Sequence, residues 1–215
     1  PVGSTSTPDT PTGSSTTFFI DLAGTYSITF TVTDDEGASA SCSVTITSTP
    51  AEPLYVELIW DTAYGDADLH LIRSGVAPAA GWYTLDDCFF GNTPAAWPPP
   101  GAGGNATLAR EDRDGFGPES IDIATGPMAG DYEVGVAYQC SHSIFLPGDP
   151  PVAPGDGPTT AMVKIYCGGA LIATYPGINL DRTGRFVDLA TVTWPGCGGV
   201  SHYTNTWTAL VKPAV

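Results

Sequence analysis

Apolar side chains recur at every second residue through three separate stretches of this chain. Tyr26, Ile28, Phe30 and Val32 alternate with polar residues, and Ala40, Cys42, Val44 and Ile46 repeat the pattern after the turn "DDEG". Leu54, Val56, Leu58 and Trp60 do so again in "LYVELIW". A period of two puts alternate residues on one face of a β-strand. No window carries a sustained i, i+3, i+4, i+7 apolar pattern, so nothing calls for an amphipathic helix. Gly at 26 and Pro at 20 break the chain into short runs, as expected of an all-β protein with long loops.

Those runs suggest two modules. Residues 1–16 are a polar Pro/Ser/Thr stretch, followed by a strand in "TTFFID" and the alternating hairpin up to residue 47. A proline-bearing linker, residues 48–53, precedes a second module over residues 54–215. Its strands are expected in "LYVELIW", "ADLHLIR", "ESIDIA", "DYEVGVAY", "TAMVKIYC", "ALIATY" and "RFVDLATVTW". About eight strands at this spacing suggest an antiparallel β-sandwich or jelly roll. The loops over 86–118 and 142–158 are too long for simple connectors, and the first is a candidate for function.

Asp and Glu number 23 against 7 Lys and Arg, for a formal charge of −16. Such a surface argues against nucleic acid and anionic membranes and suits divalent cations. No apolar run is long enough to span a bilayer, and no secretory signal opens the chain, which reads as a mature product or a fragment. The five cysteines form no C-x-x-C pair and are widely spaced, which points to disulfides and an exported location. Cys88 with Cys140, and Cys167 with Cys197, is the preferred pairing among the three possible. Cys42 is left over, either as a buried thiol or as the partner of a cysteine elsewhere.

Two acidic clusters carry the chemistry. Asp61, Asp66 and Asp68 lie within "WDTAYGDADLHL", and Glu111, Asp112, Asp114 and Glu119 within "REDRDGFGPES". On a strand Asp66 and Asp68 share a face. Calcium takes six to eight oxygen ligands from carboxylates, carbonyls and water, which two such loops supply together. The expected ligands are Asp61, Asp66, Asp68, Asp112, Asp114 and Glu119. Two readings compete with calcium: carboxylates that cap turns, and neutralisation by Arg110 and Arg113. The three histidines lack metal-ligand spacing, and His70 is expected on a strand surface.

Some of these motifs resemble known families. "LAGTYSITFTVTDDEGASASCSVTIT", with Gly24-Thr25-Tyr26 and Val32-Thr33-Asp34, is similar to the last two strands of a PKD domain, an extracellular immunoglobulin-like sandwich. Trp60-Asp61-Thr62, the segment from Asp66 to His70, Gly115-Phe116-Gly117-Pro118-Glu119 and Gly130-Asp131-Tyr132 resemble, in order, the hallmarks of YfaP-like bacterial exported β-sandwich domains over residues 54–195. The resemblances imply a partial PKD-like module followed by a YfaP-like sandwich, at an extracellular or bacterial cell-surface location.

No nucleophile elbow, zinc-protease helix or phosphate loop is present, and the expectation is a non-enzymatic protein. Its leading role is structural or adhesive, as a calcium-binding subunit of a surface fibre that self-associates by strand complementation. The alternative is a carbohydrate-binding accessory module. Trp82, Tyr83, Phe89, Phe90 and Trp97 then either stack on a surface glycan or anchor the long loop to the core. Paired carboxylates also serve glycoside hydrolysis, the third reading.

Overall fold

The computed structural model of the chain describes residues 1–63, 65–74, 81–97, 104–113, 115–141 and 158–201. Among the described residues every helix or strand element is a strand. No helix there is long and apolar enough to cross a membrane. The chain divides into two compact units, Pro1–Pro50 and Ala51–Val215.

In the first unit, β1 (Gly24–Thr33) and β2 (Ser39–Ser48) form an antiparallel hairpin in unbroken register from Gly24↔Ser48 to Thr33↔Ser39. Asp34 builds the turn: its carboxylate accepts the N–H groups of Glu36 (3.0 Å) and Ala38 (2.8 Å). Gly37 sits at φ 88°, where a side chain is disfavoured. The "TTFFID" segment, expected as a strand, is not one. Phe18 makes only an isolated bridge to Pro8. Thr16 Oγ1 instead accepts the Thr10 N–H, and the Thr17 hydroxyl donates to Asp9. Such local side-chain bonds compete with a ladder.

The two hairpin faces differ completely. One pairs Tyr26 with Ile46, Ile28 with Val44, Phe30 with Cys42 and Val32 with Ala40. Tyr26 is buried, but Phe30, Val32 and Val44 are 48%, 51% and 54% exposed. Cys42 is an exposed free thiol, neither buried nor paired. On the other face hydroxyls pair across the strands, Thr29 with Ser43 (2.9 Å), Thr31 with Ser41 (2.8 Å) and Thr33 with Ser39 (2.8 Å). At the hairpin base the Tyr26 hydroxyl accepts the Leu22 N–H and donates toward Asp21 Oδ1, each at 2.8 Å.

Among its described residues the second unit contains two five-stranded antiparallel sheets, as a β-sandwich requires. The first sheet runs in the order β10-β9-β3-β7-β6. It comprises β3 (Leu54–Trp60), β6 (Thr107–Arg110), β7 (Glu119–Ile123), β9 (Thr159–Cys167) and β10 (Ala170–Leu180). The second runs β12-β11-β8-β4-β5. It comprises β4 (Gly65–Arg73), β5 (Asp87–Cys88), β8 (Gly130–Ser141), β11 (Phe186–Trp194) and β12 (Gly198–Ser201). Alternation sets the core: Leu54, Val56, Leu58, Ile121, Ile123, Val163 and Ile165 from one sheet are buried with Ala67, Leu69, Leu71, Val134 and Val136 from the other. Each such Val, Leu or Ile contributes roughly 1.5–3 kcal/mol by leaving water.

One expected disulfide forms and the other does not. Cys167, ending β9, is bonded to Cys197, just before β12, so the link joins the two sheets. Cys88 is a buried free thiol, which burial pushes up to about 12. The reason is topological. Cys88 faces Leu71 on one flank of β4, while Cys140 faces Asp66 on the other flank. Two strand spacings and five residues separate them by well over the roughly 7 Å that a disulfide spans between Cα atoms.

Two tests follow from these contacts. Replacing Cys167 and Cys197 by serine should cost about 2–4 kcal/mol in denaturant unfolding, the entropy of an open loop; no loss would mean the link is redundant. At Asp21, burial raises the carboxyl, but bonds from Ser4, Tyr26 and Thr5 outweigh it and hold the group at about 2, against 3.8 unfolded. The ionised group therefore favours the folded hairpin base above 3.8, and that contribution disappears as pH falls toward 2. An NMR titration should show Asp21 and the Thr5 amide shifting together in that window.

Candidate cation site at the open edge of strand four

Glu119, Ile121 and Ile123 alternate on β7, so the pattern that buries the two isoleucines also buries the carboxylate. Glu119 is 1% exposed. Its Oε2 accepts the N–H of Leu69 on the opposite sheet at 2.7 Å. β5 is two residues long and pairs only Leu71 and Ile72. The edge of β4 beyond them is left for a side chain to satisfy, and Glu119 does so. Glu119 Oε1 is buried and accepts no hydrogen bond among the described residues.

Asp66 and Asp68 lie on β4, 9% and 3% exposed. They alternate with core-facing Ala67 and Leu69, so they leave the sheet on its other face. Burial, followed by the field of Asp68 and then Asp66, raises the Glu119 carboxyl well above its usual range. The charges of Asp68 and Asp66 thus reach the Glu119 carboxyl. Glu111 and Arg113 pair at 2.7 Å (Nε to Oε1) at the rim, and Arg113 is itself stabilised in its charged form by Glu111 first, with Asp66 and Asp68 contributing. Asp112 lies against Gly115. Asp114 lies outside the described residues. Among the described residues no three carboxylate, imidazole or thiol groups already converge as a ready ligand set.

Asp61 is engaged elsewhere. Its Oδ1 accepts the Thr160 N–H at 2.7 Å and the Thr159 hydroxyl at 3.1 Å, while its own N–H donates to the Thr160 carbonyl. It closes the start of β9 onto the end of β3.

The Gly-Phe-Gly-Pro-Glu motif holds the two loops together through its backbone. The Trp60 N–H donates to the Phe116 carbonyl (3.1 Å) and the Gly115 N–H to that of Ala63 (2.8 Å). Gly117 adopts φ 80°, and a Cβ there would meet Trp60 Cζ3 at 3.0 Å and the Leu58 carbonyl at 3.1 Å. Both conformation and space require glycine.

His70 is not on the surface, contrary to expectation. It is fully buried, and Nδ1 lies 2.7 Å from Oδ2 of the equally buried Asp87. Asp87 Oδ2 also accepts the Tyr83 N–H at 2.7 Å, so His70 Nδ1 is the donor. Phe89 stacks on the imidazole at 5.1 Å between ring centres, with Tyr83, Phe186 and Trp82 at 4.8, 5.2 and 6.0 Å. The aromatic loop therefore covers the face of β4 that would otherwise be solvated. Trp97 is 1% exposed, and its Nε1–H donates to the Asp86 carbonyl. It anchors the loop and presents no ring to a sugar. Nothing in the period of "ADLHLIR" separates a covered outer face from a bare one.

No protein-family profile matches the chain, and no curated protein does.

Replacing Gly117 by alanine should destabilise the second unit by about 1–3 kcal/mol through backbone strain, with crowding against Trp60 adding to it. Thermal unfolding monitored by tryptophan fluorescence reads this directly, and an unshifted midpoint would show that the loop bends at no cost.

Proposed function

We propose that the chain is a structural β-protein of an extracellular or bacterial cell surface whose sandwich is clamped by a calcium ion at the open edge of β4. The observation that carries this reading is Glu119. A carboxylate 1% exposed, with Oε1 accepting no hydrogen bond among the described residues and two further acids in its field, is costly unless a cation or a proton compensates it. The donors are all oxygen, which suits calcium over softer metals. Glu119, Asp66 and Asp68 would hold the ion once drawn together around the β4 edge, since among the described residues they do not already converge. The bound ion would supply positive charge to that edge and join one sheet to the other. A sheet-linking disulfide and the exported location implied by the PKD-like and YfaP-like resemblances support the same structural role, as does a hairpin suited to a fibre subunit.

Arg113, 58% exposed and paired with Glu111, is the rival source of positive charge. The variant Glu119→Gln separates the two. It removes the buried charge but keeps the shape and the bond to Leu69 N–H. In chelator it should melt at or above the wild-type temperature. Calcium should raise the melting temperature of the wild type and leave Glu119→Gln unmoved. A wild type equally stable with calcium and with chelator would sink the clamp.

A further inference from the structure

Among the described residues, the outer strands of the second unit are blunted against pairing. β5 is two residues long, and the described part of β12 is four. β6 has four residues, a register shift beside Leu108 and an arginine at its end. β10 is long, but it carries Pro176 and two register shifts. Short, bulged, charged or proline-bearing edges are how proteins prevent unwanted strand addition.

The hairpin has none of these protections. β1 and β2 are ten residues each, in unbroken register, with no proline and no charged residue in either strand. As a two-stranded sheet it has two open edges, and one face is an exposed apolar ladder. The same chain that protects its other edges leaves these two free.

We infer that the hairpin is an assembly element, and that its occupant is the hairpin of a second copy of this chain, added edge to edge and antiparallel. The inference rests on the fibre-subunit reading and names its partner. Pairing a strand with its own copy in antiparallel register sets even-numbered residues against even-numbered ones. Tyr26, Ile28, Phe30 and Val32, or Ala40, Cys42, Val44 and Ile46, then continue one apolar face, and the hydroxyls continue the other. The acidic turn, Asp34 to Glu36, argues for the antiparallel sense: each turn lies at the far end of the other strand, roughly 33 Å away along ten residues, several times the Debye length of about 8 Å in physiological salt. A parallel arrangement would stack the turns. Area explains why the edges must take part. The apolar face of one hairpin covers roughly 330 Å² from its strand dimensions, under half of the about 800 Å² per partner of a stable interface. Because both edges are open, addition can continue beyond a dimer.

Sedimentation velocity across the micromolar-to-millimolar range tests this, with hydrogen exchange of β1 and β2 read at both ends. The wild type should form concentration-dependent oligomers, and amides of Gly24–Thr33 and Ser39–Ser48 should gain protection as they form. Phe30→Lys with Val44→Lys, both at exposed positions, should sediment as a monomer with an unchanged circular dichroism spectrum. A wild type that stays monomeric throughout overturns the second copy as occupant and leaves the surface to a strand of another protein. Oligomers that persist in the lysine variant, or that bring no added protection to the hairpin, overturn it equally. The calcium shift in melting is a separate readout: association without it supports the inference alone, and the shift without association overturns the inference while sparing the clamp.

Discussion

The bond from Leu69 N–H to the Glu119 carboxylate joins the two sheets of the sandwich where, among the described residues, no strand pairs with β4 on that flank. β5 pairs only with Leu71 and Ile72, so among the described residues the backbone of β4 beyond it has no strand neighbour on that flank. A buried backbone donor left without a partner costs about as much as a lost hydrogen bond. Glu119 satisfies it, but in doing so brings a carboxylate into a core of aliphatic and aromatic side chains. Asp66 and Asp68 on the same strand add negative charge to that edge. Much of the surrounding sequence follows from this arrangement. The glycines at 115 and 117 let the loop close on Trp60 and Ala63. Arg113 and Glu111 form the rim.

The other side of β4 solves a different problem with different chemistry. A strand that alternates Asp, His and Ile on its outer face would ordinarily meet water. Here the segment after residue 80 folds back over it, and a His70–Asp87 pair with four aromatic rings makes that face a second small core. Asn92 secures the turn below, its amide donating to the carbonyls of Leu85 (2.9 Å) and Asp87 (2.7 Å). Trp97 and Asn105 close the loop from the other end. The long segment is thus a lining of β4, held by directed bonds at both ends.

The period-two pattern was enough to locate β1, β2 and seven of the longer strands of the sandwich, because alternation and burial report the same thing. It missed β5, β6 and β12, which are two to four residues long and whose pairing is decided by their neighbours. It made a strand of "TTFFID", where threonine side chains bond locally instead. Cysteine spacing found the Cys167–Cys197 link but could not show that β4 would stand between Cys88 and Cys140. The two acidic segments stand out in the sequence, but the separate surroundings of their carboxylates do not. The alternation of Glu119 with Ile121 and Ile123 held the clue that Glu119 points inward. That Asp61 belongs to β9, through Thr159 and Thr160, depends on contacts about a hundred residues apart in the chain.

The place of β3 in the first sheet has a mechanical meaning. The chain enters the second unit through Leu54, and β3 lies between β7 and β9, hydrogen-bonded to both. A pull along the chain at that end loads two ladders at once, in shear. Ladder bonds run across the strands, so they are strained together under such a load, and an outer strand pulled the same way would share it over one ladder only. Tension arriving at the sandwich from residues before it therefore meets a strand paired on both sides, whereas each strand of the hairpin has a single ladder.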